Sequence, residues 1–357
     1  MATATKQTPD RMQAVVLAGP GEWSIESVEV PALDPVENVL VRVRAAAICG
    51  SDPKMMTGRL DWPTHFPFVP GHEYAGEVVA VGDGVGRLAP GDRVFGETHS
   101  GCGFCRACRR GQYQLCEHFG DDATGHRQIG HTMDGAFAEY VAVPADLLHP
   151  LDDGLSFPEG ALLDTNAIAL NCSERGGIRA GDRVVVLGTG IIGLCCVQHA
   201  RAMGASQVVA TGNPVNNELA AELGADHTVA YNEDVVERVR ALTDGEWADV
   251  TLEAVGVEAS MRQAIEVTRK GGTVSLDGMP AEAEHSIPTR EIVRKQLDVR
   301  GCRAHANLAE ASARLVRTGQ VDLAPLVARE FPLADFEDAY RTFTEEDGMI
   351  RVVLRNE

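Results

Sequence analysis

The chain has 357 residues, 44% hydrophobic and 5% aromatic, with a formal net charge of −20 from 52 acidic against 32 basic residues. That length exceeds one ordinary core and suits two domains. So negative a surface repels nucleic-acid phosphate and anionic lipid, so neither is an expected partner, and no apolar run reaches the roughly 20 residues of a membrane span. Lys6, Lys54, Lys270 and Lys295 are the only lysines. Acidic excess with little lysine fits a salt-adapted cytoplasmic protein, kept soluble where salt screens ordinary repulsion; a GC-rich genome that favours Arg, Ala, Gly and Asp codons is the alternative. The first dozen residues are polar and lack the apolar region of a secretory signal, so they read as a short disordered leader. In such a compartment thiols stay reduced, and the nine cysteines point to metal ligation rather than disulfides.

Strand signals dominate the first part. Residues 12–17, 39–47, 74–81, 92–95 and 136–143 are rich in Val and Ala, and Gly71, Gly76, Gly82, Gly84, Gly86 and Gly91 punctuate them. This predicts a small barrel-like β domain with long loops. Near residue 160 the texture changes. Residues 158–172 read as a helix, and strands at 183–187, 207–210 and 227–230 then alternate with helices at 193–203, 218–223 and 235–242. Strand–helix–strand alternation implies a parallel sheet with crossover helices. Later strands are expected at 250–253 and 272–276, and a closing strand within 350–354.

The run Gly188-Thr189-Gly190-Ile191-Ile192-Gly193 follows an apolar strand and opens a helix. A lone G-x-G-x-x-G is a weak signal, but this context makes it a dinucleotide fingerprint. Gly188 serves the tight turn, Gly190 the approach to pyrophosphate, and Gly193 the close packing of helix on strand. Free N–H groups at the helix start bind phosphate. The next strand normally ends in a carboxylate that grips the adenosine ribose, and Gly212 stands there instead. No arginine follows to clamp a phosphate; Asn213, Asn216 and Asn217 offer neutral hydrogen bonds. NADP is the favoured expectation, with NAD or dual use as the alternative.

Cys102, Cys105, Cys108 and Cys116 lie close enough in sequence to close a tetrahedral all-thiolate zinc site, saturated by protein and therefore structural. It would stiffen the lobe 100–119. Separately, Cys49 ends a strand and His72 begins the next. Both residue types ligate zinc, and a catalytic zinc needs three protein ligands and an open position, so a further ligand must come from elsewhere.

The stretch Ile48-Cys49-Gly50-Ser51-Asp52, the Gly71-His72-Glu73 stretch, Pro90 to Val94, the four-cysteine lobe, Gly135 to Tyr140 and the glycine loop occur in the order seen in zinc-containing medium-chain dehydrogenases/reductases. The chain resembles that family from about residue 12 to 355, most closely its polyol, sugar and threonine dehydrogenase branch. The resemblance implies an α/β architecture: a GroES-like β-rich catalytic domain over 1–164 and 301–357, and a Rossmann doubly wound parallel sheet over 165–300. It implies that Cys49 and His72 hold a catalytic zinc, with Glu73 beside the metal. In the polyol branch a Leu-Glu-Pro glutamate adds a carboxylate; here Leu163-Asp164-Thr165 replaces it, and three arrangements stay open for Asp164: direct ligation, ligation through water, or none. Ser51 resembles the hydroxyl that takes the alcohol proton, and Lys54 stands where relatives place a relay histidine.

The implied reaction is hydride transfer between a secondary alcohol (polyol, sugar or hydroxy amino acid) and NAD(P), with one catalytic and one structural zinc. A simple alcohol dehydrogenase or aldehyde reductase is the alternative, ahead of a zinc-free quinone reductase or a non-enzymatic relative. A homodimer or homotetramer acting on a small alcohol or carbonyl compound is expected. Met55, Met56, Trp62 and Phe66 are candidate pocket or packing residues. Cys172, Cys195, Cys196 and Cys302 read as buried small hydrophobes. Other histidines, among them His99, His131, His149 and His199, read as surface, loop or packing residues.

Overall fold

A computed structural model of the chain describes residues 8–33, 38–60 and 65–356. Most of the expected leader and Trp62 fall outside them. The chain divides into two compact units: 1–164 with 327–346 and 351–357, and 165–326 with 347–350.

The first unit opens with β1 (Arg11–Gly19), β2 (Glu22–Glu29) and β3 (Asn38–Ala47), then α1 (Ser51–Met56). It continues with β4 (Glu73–Val81), β5 (Arg93–Gly96), β6 (His99–Ser100), β7 (Arg127–Gln128), β8 (Tyr140–Pro144), β9 (Leu148–Pro150) and α2 (Phe157–Ala161). Helix α3 (Leu163–Gly176) leads into the second unit, which carries β10 (Arg183–Leu187), α4 (Ile191–Ala202), β11 (Gln207–Gly212), β12 (His227–Ala230), β13 (Ala248–Glu253), β14 (Thr268–Leu276) and β15 (Asp298–Gly301). The chain returns to the first unit for β16 (Arg329–Pro332) and β17 (Val352–Arg355).

The sheet of the first unit is organised around β3, whose Val39, Val41, Val43, Ala45 and Ala47 are fully buried. On one side β3 pairs antiparallel with β4, Ala47 opposite Glu73. Its other edge is shared: residues 38–42 pair with β8, and residues 45–47 pair with β17, Ala47 opposite Val353. The registers therefore bring the residues just beyond the end of β3, just before β4 and just before β17 to one place. Those residues are Cys49, His72 and Arg351.

In the second unit all six strands are parallel, in the order β12-β11-β10-β13-β14-β15. The order reverses between β10 and β13, the switch point at which open α/β sheets bind ligands outside their carboxyl ends. The strands read as apolar runs, as befits a sheet covered on both faces: Val184, Val185 and Val186 of β10 are fully buried.

Three expectations are corrected. The helix expected over 158–172 is two helices. Ser156 and Glu159 form a capping box at α2, and the chain turns at Leu162 before α3 restarts. The strand expected over 136–143 is regular only from Tyr140, because Ala136 and Phe137 donate instead to the Gly71 and Pro70 carbonyls at 2.8 and 2.9 Å. Residues 301–326, expected in the catalytic domain, belong to the parallel-sheet unit. The buried Asn166 amide donates to Ser312 Oγ at 2.8 Å, and the Gln198 side chain bonds both the N–H and the carbonyl of Asp322.

Helix α4 buries His199 completely. Burial drives its pKa down to about 4, against a smaller opposing effect of the Ala169 carbonyl. Between about 6.5 and 4 the unfolded chain binds a proton that the folded chain refuses, so stability is full above that window and falls as pH drops through it. From pH 7 to pH 5 this one group should remove about 2 kcal/mol, at 1.36 kcal/mol per pKa unit. Urea unfolding at the two pH values should show a smaller acid loss in His199→Gln than in the parent; equal losses would remove His199 as the cause.

Candidate metal centres and dinucleotide loop

The four lobe cysteines converge: one ligand atom from each of Cys102, Cys105, Cys108 and Cys116 lies within 4.8 Å of the others. Backbone N–H groups already face the sulfurs. Cys102 N points to Cys116 Sγ, Cys105 N to Cys102 Sγ, Cys108 N to Cys105 Sγ and His118 N to Cys116 Sγ, each at 3.4 Å. Donated N–H bonds stabilise thiolates. Those from Cys108 and Glu117 hold Cys105 down at about 6, while burial pushes Cys108 up to about 12. Sulfurs this close do not all ionise without a cation among them, and four thiolates suit zinc. Gly101 leaves the room they need, since a Cβ there would sit 2.3 Å from Cys108 Sγ.

The second cluster is Cys49, His72 and Glu73, again within 4.8 Å. Gly71, at φ +97, makes the turn that aims His72; a Cβ there would meet Phe137 Cδ1 at 2.4 Å. Asp52, fully buried on α1, accepts from Cys49 N at 2.7 Å through Oδ2 and places Oδ1 3.4 Å from His72 Nδ1. That turns His72 Nε2 the other way, where Ser51 Oγ lies 3.4 Å off. Burial disfavours the His72 imidazolium, but the charges of Asp52 and Cys49 outweigh it and raise the pKa well above 6.5. A cation bound at this nitrogen takes the place of that proton. A thiolate, an imidazole and a carboxylate are a donor set that fits zinc.

Both oxygens of Glu73 are held by Arg351, at 3.0 Å to Nε and 2.8 Å to Nη2, and Nη2 also lies 3.7 Å from Cys49 Sγ. Asp164 stands apart from the cluster. Its carboxylate accepts from Thr98, at 3.3 Å from the backbone N–H and more closely from the hydroxyl. Lys54 is half-buried on α1, one turn beyond Ser51, and Met55 and Met56 beside it are buried, while Phe66 is exposed.

Arg351, Asp52, Thr98 and His131 were not singled out from sequence. His131 is buried, its ring 4.6 Å from that of His72 and its Nδ1 3.1 Å from the Ile129 carbonyl. Arg351 did leave a signal, as an arginine inside an otherwise apolar terminal run. His149 is engaged as well: its Nε2 lies 3.0 Å from Glu97, which also accepts from Tyr113 of the cysteine lobe at 2.5 Å.

In the second unit, Gly188 adopts φ +112, and a Cβ on Gly193 would fall 1.8 Å from the Gly188 carbonyl oxygen. Gly190 faces open space, with nothing within 4 Å of the position of a Cβ. Thr189 occupies the ground expected for the ribose carboxylate, because a Cβ on Gly212 would lie 2.2 Å from Thr189 Oγ1. Ile191 and Ile192 start α4, with Gly190 at its N-cap. The loop fits a dinucleotide pyrophosphate. Asn213 accepts from Val215 N at 3.0 Å and donates to Asp347 Oδ1 at 2.5 Å, so a carboxylate from a distant segment stands one amide away from Gly212.

Residues 35–153 match the family described as alcohol dehydrogenase GroES-like domain, and residues 192–317 match zinc-binding dehydrogenase. Sorbitol dehydrogenase of Bacillus subtilis is 32% identical over 339 residues, covering 94% of each chain. A zinc-binding dehydrogenase of Sinorhizobium meliloti, solved bound to NADP, superposes with a TM-score of 0.90 at 32% identity, over 98% of this chain and 100% of that one. The 2R,3R-butanediol dehydrogenase of Bacillus subtilis gives a TM-score of 0.86 at 31% identity, over 97% and 100% of the two chains.

The Glu73–Arg351 pair yields a direct check. Arg351→Met strands a buried carboxylate and should cost about 3–5 kcal/mol in chemical unfolding. Metal analysis should then find one zinc per chain where the parent holds two. A variant that keeps both ions and the parental midpoint would show that Arg351 does not support the cluster.

Proposed function

The chain belongs to the zinc-binding alcohol dehydrogenases, in the branch that holds the sorbitol dehydrogenases, and we propose that it oxidises a secondary alcohol of a polyol, sugar or hydroxy amino acid with a nicotinamide dinucleotide. The observation that carries this reading is the convergence of Cys49, His72 and Glu73 with the Ser51 hydroxyl beside His72 Nε2. In this reading those three side chains hold the catalytic zinc, and the lobe cysteines hold the structural one. Zinc, when bound, acts as a Lewis acid on the substrate oxygen and lowers the alcohol's pKa.

The protein's own groups do the rest. Asp52 fixes the imidazole of His72 so that Nε2 faces the site. Arg351 orients Glu73 and tempers the negative charge of Cys49 and Glu73 together. Ser51 Oγ takes the alcohol proton and passes it on, with Lys54 one turn further along α1 where an outer relay continues. Asp164, committed to Thr98, acts from outside the metal's own ligands. Gly188, Thr189, Gly190, Ile191, Ile192 and Gly193 would cradle the pyrophosphate of the dinucleotide, whose nicotinamide would supply the hydride acceptor.

NADP is the favoured cofactor. Two things support it, that no carboxylate can stand at Gly212 and that the Sinorhizobium meliloti relative was solved with NADP, while the Asp347 carboxylate on Asn213 weighs towards NAD. The same reading takes the protein to be cytoplasmic and a homodimer or homotetramer. Among the described residues no helix is long and apolar enough to cross a membrane. Elution at the 38.2 kDa of a single chain would refute the oligomer.

A panel of polyols, aldoses, L-threonine and short alcohols, run with NAD and NADP at low and high salt, tests the substrate class. Polyol oxidation should dominate and should vanish on removal of both metals by a chelator. Chelator-resistant activity, or activity confined to short primary alcohols, would defeat the proposal. Ser51→Ala should lower kcat about 10²-fold or more, the usual scale of a lost proton-transfer group, with metal content unchanged. In this reading the Asp347 carboxylate on Asn213 would oppose a 2′-phosphate beside Gly212, so Asp347→Asn should raise kcat/KM for NADP several-fold and move that for NAD by less than about twofold, as expected for a charge acting on one cofactor only. A parallel change with both cofactors would mean that Asp347 does not read the ribose.

A further inference from the structure

Four cysteines lie outside both metal-ligand sets, and the parallel-sheet unit gathers three of them. Cys172 on α3 and Cys196 on α4 are fully buried, whereas Cys302, just past the end of β15, is half-buried. The expectation of inert apolar packing therefore does not describe Cys302. Cys172 Sγ lies 3.5 Å from Ser275 Oγ on β14, and the thiols of Cys196 and Cys302 stand near enough to bear on its ionisation. Cys302 Sγ accepts from Asn171 Nδ2 at 3.3 Å. Neighbouring Asn171 thus holds the Cys302 sulfur against the helix that carries Cys172.

The segment that follows Cys302 is held under constraint. Ala304 and Asn307 adopt φ of +41 and +60, a region that L-residues disfavour. The same Asn171 amide that meets Cys302 donates to the Ala304 carbonyl at 2.6 Å. Cys302 is therefore fixed next to Cys172 from both directions, by its own sulfur and by the backbone two residues on.

We propose that Cys172 and Cys302 form a reversible disulfide when the enzyme meets a hydroperoxide. The reacting pair carries one proton, on Cys302. Hydrogen bonds from the Cys196 and Cys302 thiols, against the effect of burial, favour the ionised form at Cys172, while the contact with Cys172, burial and the Asp277 carboxylate hold Cys302 protonated. Transfer of that proton to Cys172 exposes the Cys302 thiolate on the side that solvent reaches. Its sulfur attacks the peroxide, an S–O bond forms, the O–O bond breaks, and the departing hydroxide takes the proton from Cys172 as water. The Cys172 thiolate then attacks the Cys302 sulfenic sulfur, the S–S bond forms, the S–O bond breaks, and hydroxide leaves. Two electrons pass from the sulfurs to the peroxide, and a dithiol reductant reverses the change.

The test is a non-reducing peptide map of the zinc-loaded enzyme, titrated with hydrogen peroxide and quenched with an alkylating agent. The expected product is one peptide pair joined through Cys172 and Cys302, lighter by two hydrogens than the reduced pair and lost on dithiothreitol treatment. It should appear at peroxide levels that leave the lobe cysteines alkylatable only after zinc removal. Cys196→Ser should keep the cross-link, and Cys302→Ser should abolish it and leave Cys172 reduced. A link from Cys172 to Cys196, or no link before the lobe thiols oxidise, overturns the proposal in the parent protein, without reliance on either variant.

Discussion

A buried charge cluster at the end of β3 is the constraint on which the first unit depends. Asp52, Glu73, Arg351 and His72 are each at most 6% exposed. Isolated charges at such depth cost many kcal/mol, so they survive only in mutual compensation. Arg351 answers Glu73 with two short bonds and reaches towards Cys49, while Asp52 answers His72 and the backbone of Cys49. The pairing registers are what make this affordable in geometry, since β4 and β17 flank the same three residues of β3. A slip of one residue in either strand would turn Glu73 or Arg351 to the opposite face of the sheet and leave its partner stranded.

The second unit rests on a different constraint, the close approach of backbone to backbone. Gly193 lies against the Gly188 carbonyl, and Gly212 lies against Thr189. The sequence pattern reveals the first of these contacts, because the fingerprint spacing is a local rule. It presents Gly212 only as a missing carboxylate. The structure gives the cause: the fingerprint loop itself fills the space, so a side chain at 212 could not be accommodated without moving Thr189. The polar groups beside this position come instead from Asn213 and, from far along the chain, Asp347.

What could be read from sequence follows from what is local. The lobe cysteines, the glycine loop, the strand–helix alternation and the Cys49 and His72 stretches are short patterns whose spacing carries their chemistry. The partners Arg351, Thr98 and His131 come from segments remote from the residues they meet, and no periodicity links them. Arg351 is 278 positions from Glu73. The boundary of the second unit is not local either: the resemblance implies the catalytic domain from residue 301, whereas contacts such as Asn166–Ser312 and Gln198–Asp322 join residues 301–326 to the parallel-sheet unit. The helix break at Leu162 was hidden because both halves carry the same apolar spacing, and the Ser156 capping box marks only the first start.

That break bears on the cluster at the end of β3. It ends α2 and restarts the helix at Leu163, which places Asp164 in the first turn of α3. A side chain one methylene shorter than glutamate reaches less far from that backbone. Here it ends on Thr98, where the N–H and the hydroxyl both donate to it. A carboxylate with two donors already in place gains less from moving to a metal than one with none, because each donor left behind is buried and would lose its acceptor. Glu73 is likewise engaged, but its partner Arg351 is a cation that also lies beside Cys49, so it can follow the charge of the cluster as a whole. The two carboxylates thus divide the work by their partners: Glu73 stays with the thiolate and imidazole, and Asp164 braces the neighbouring strand end at Thr98.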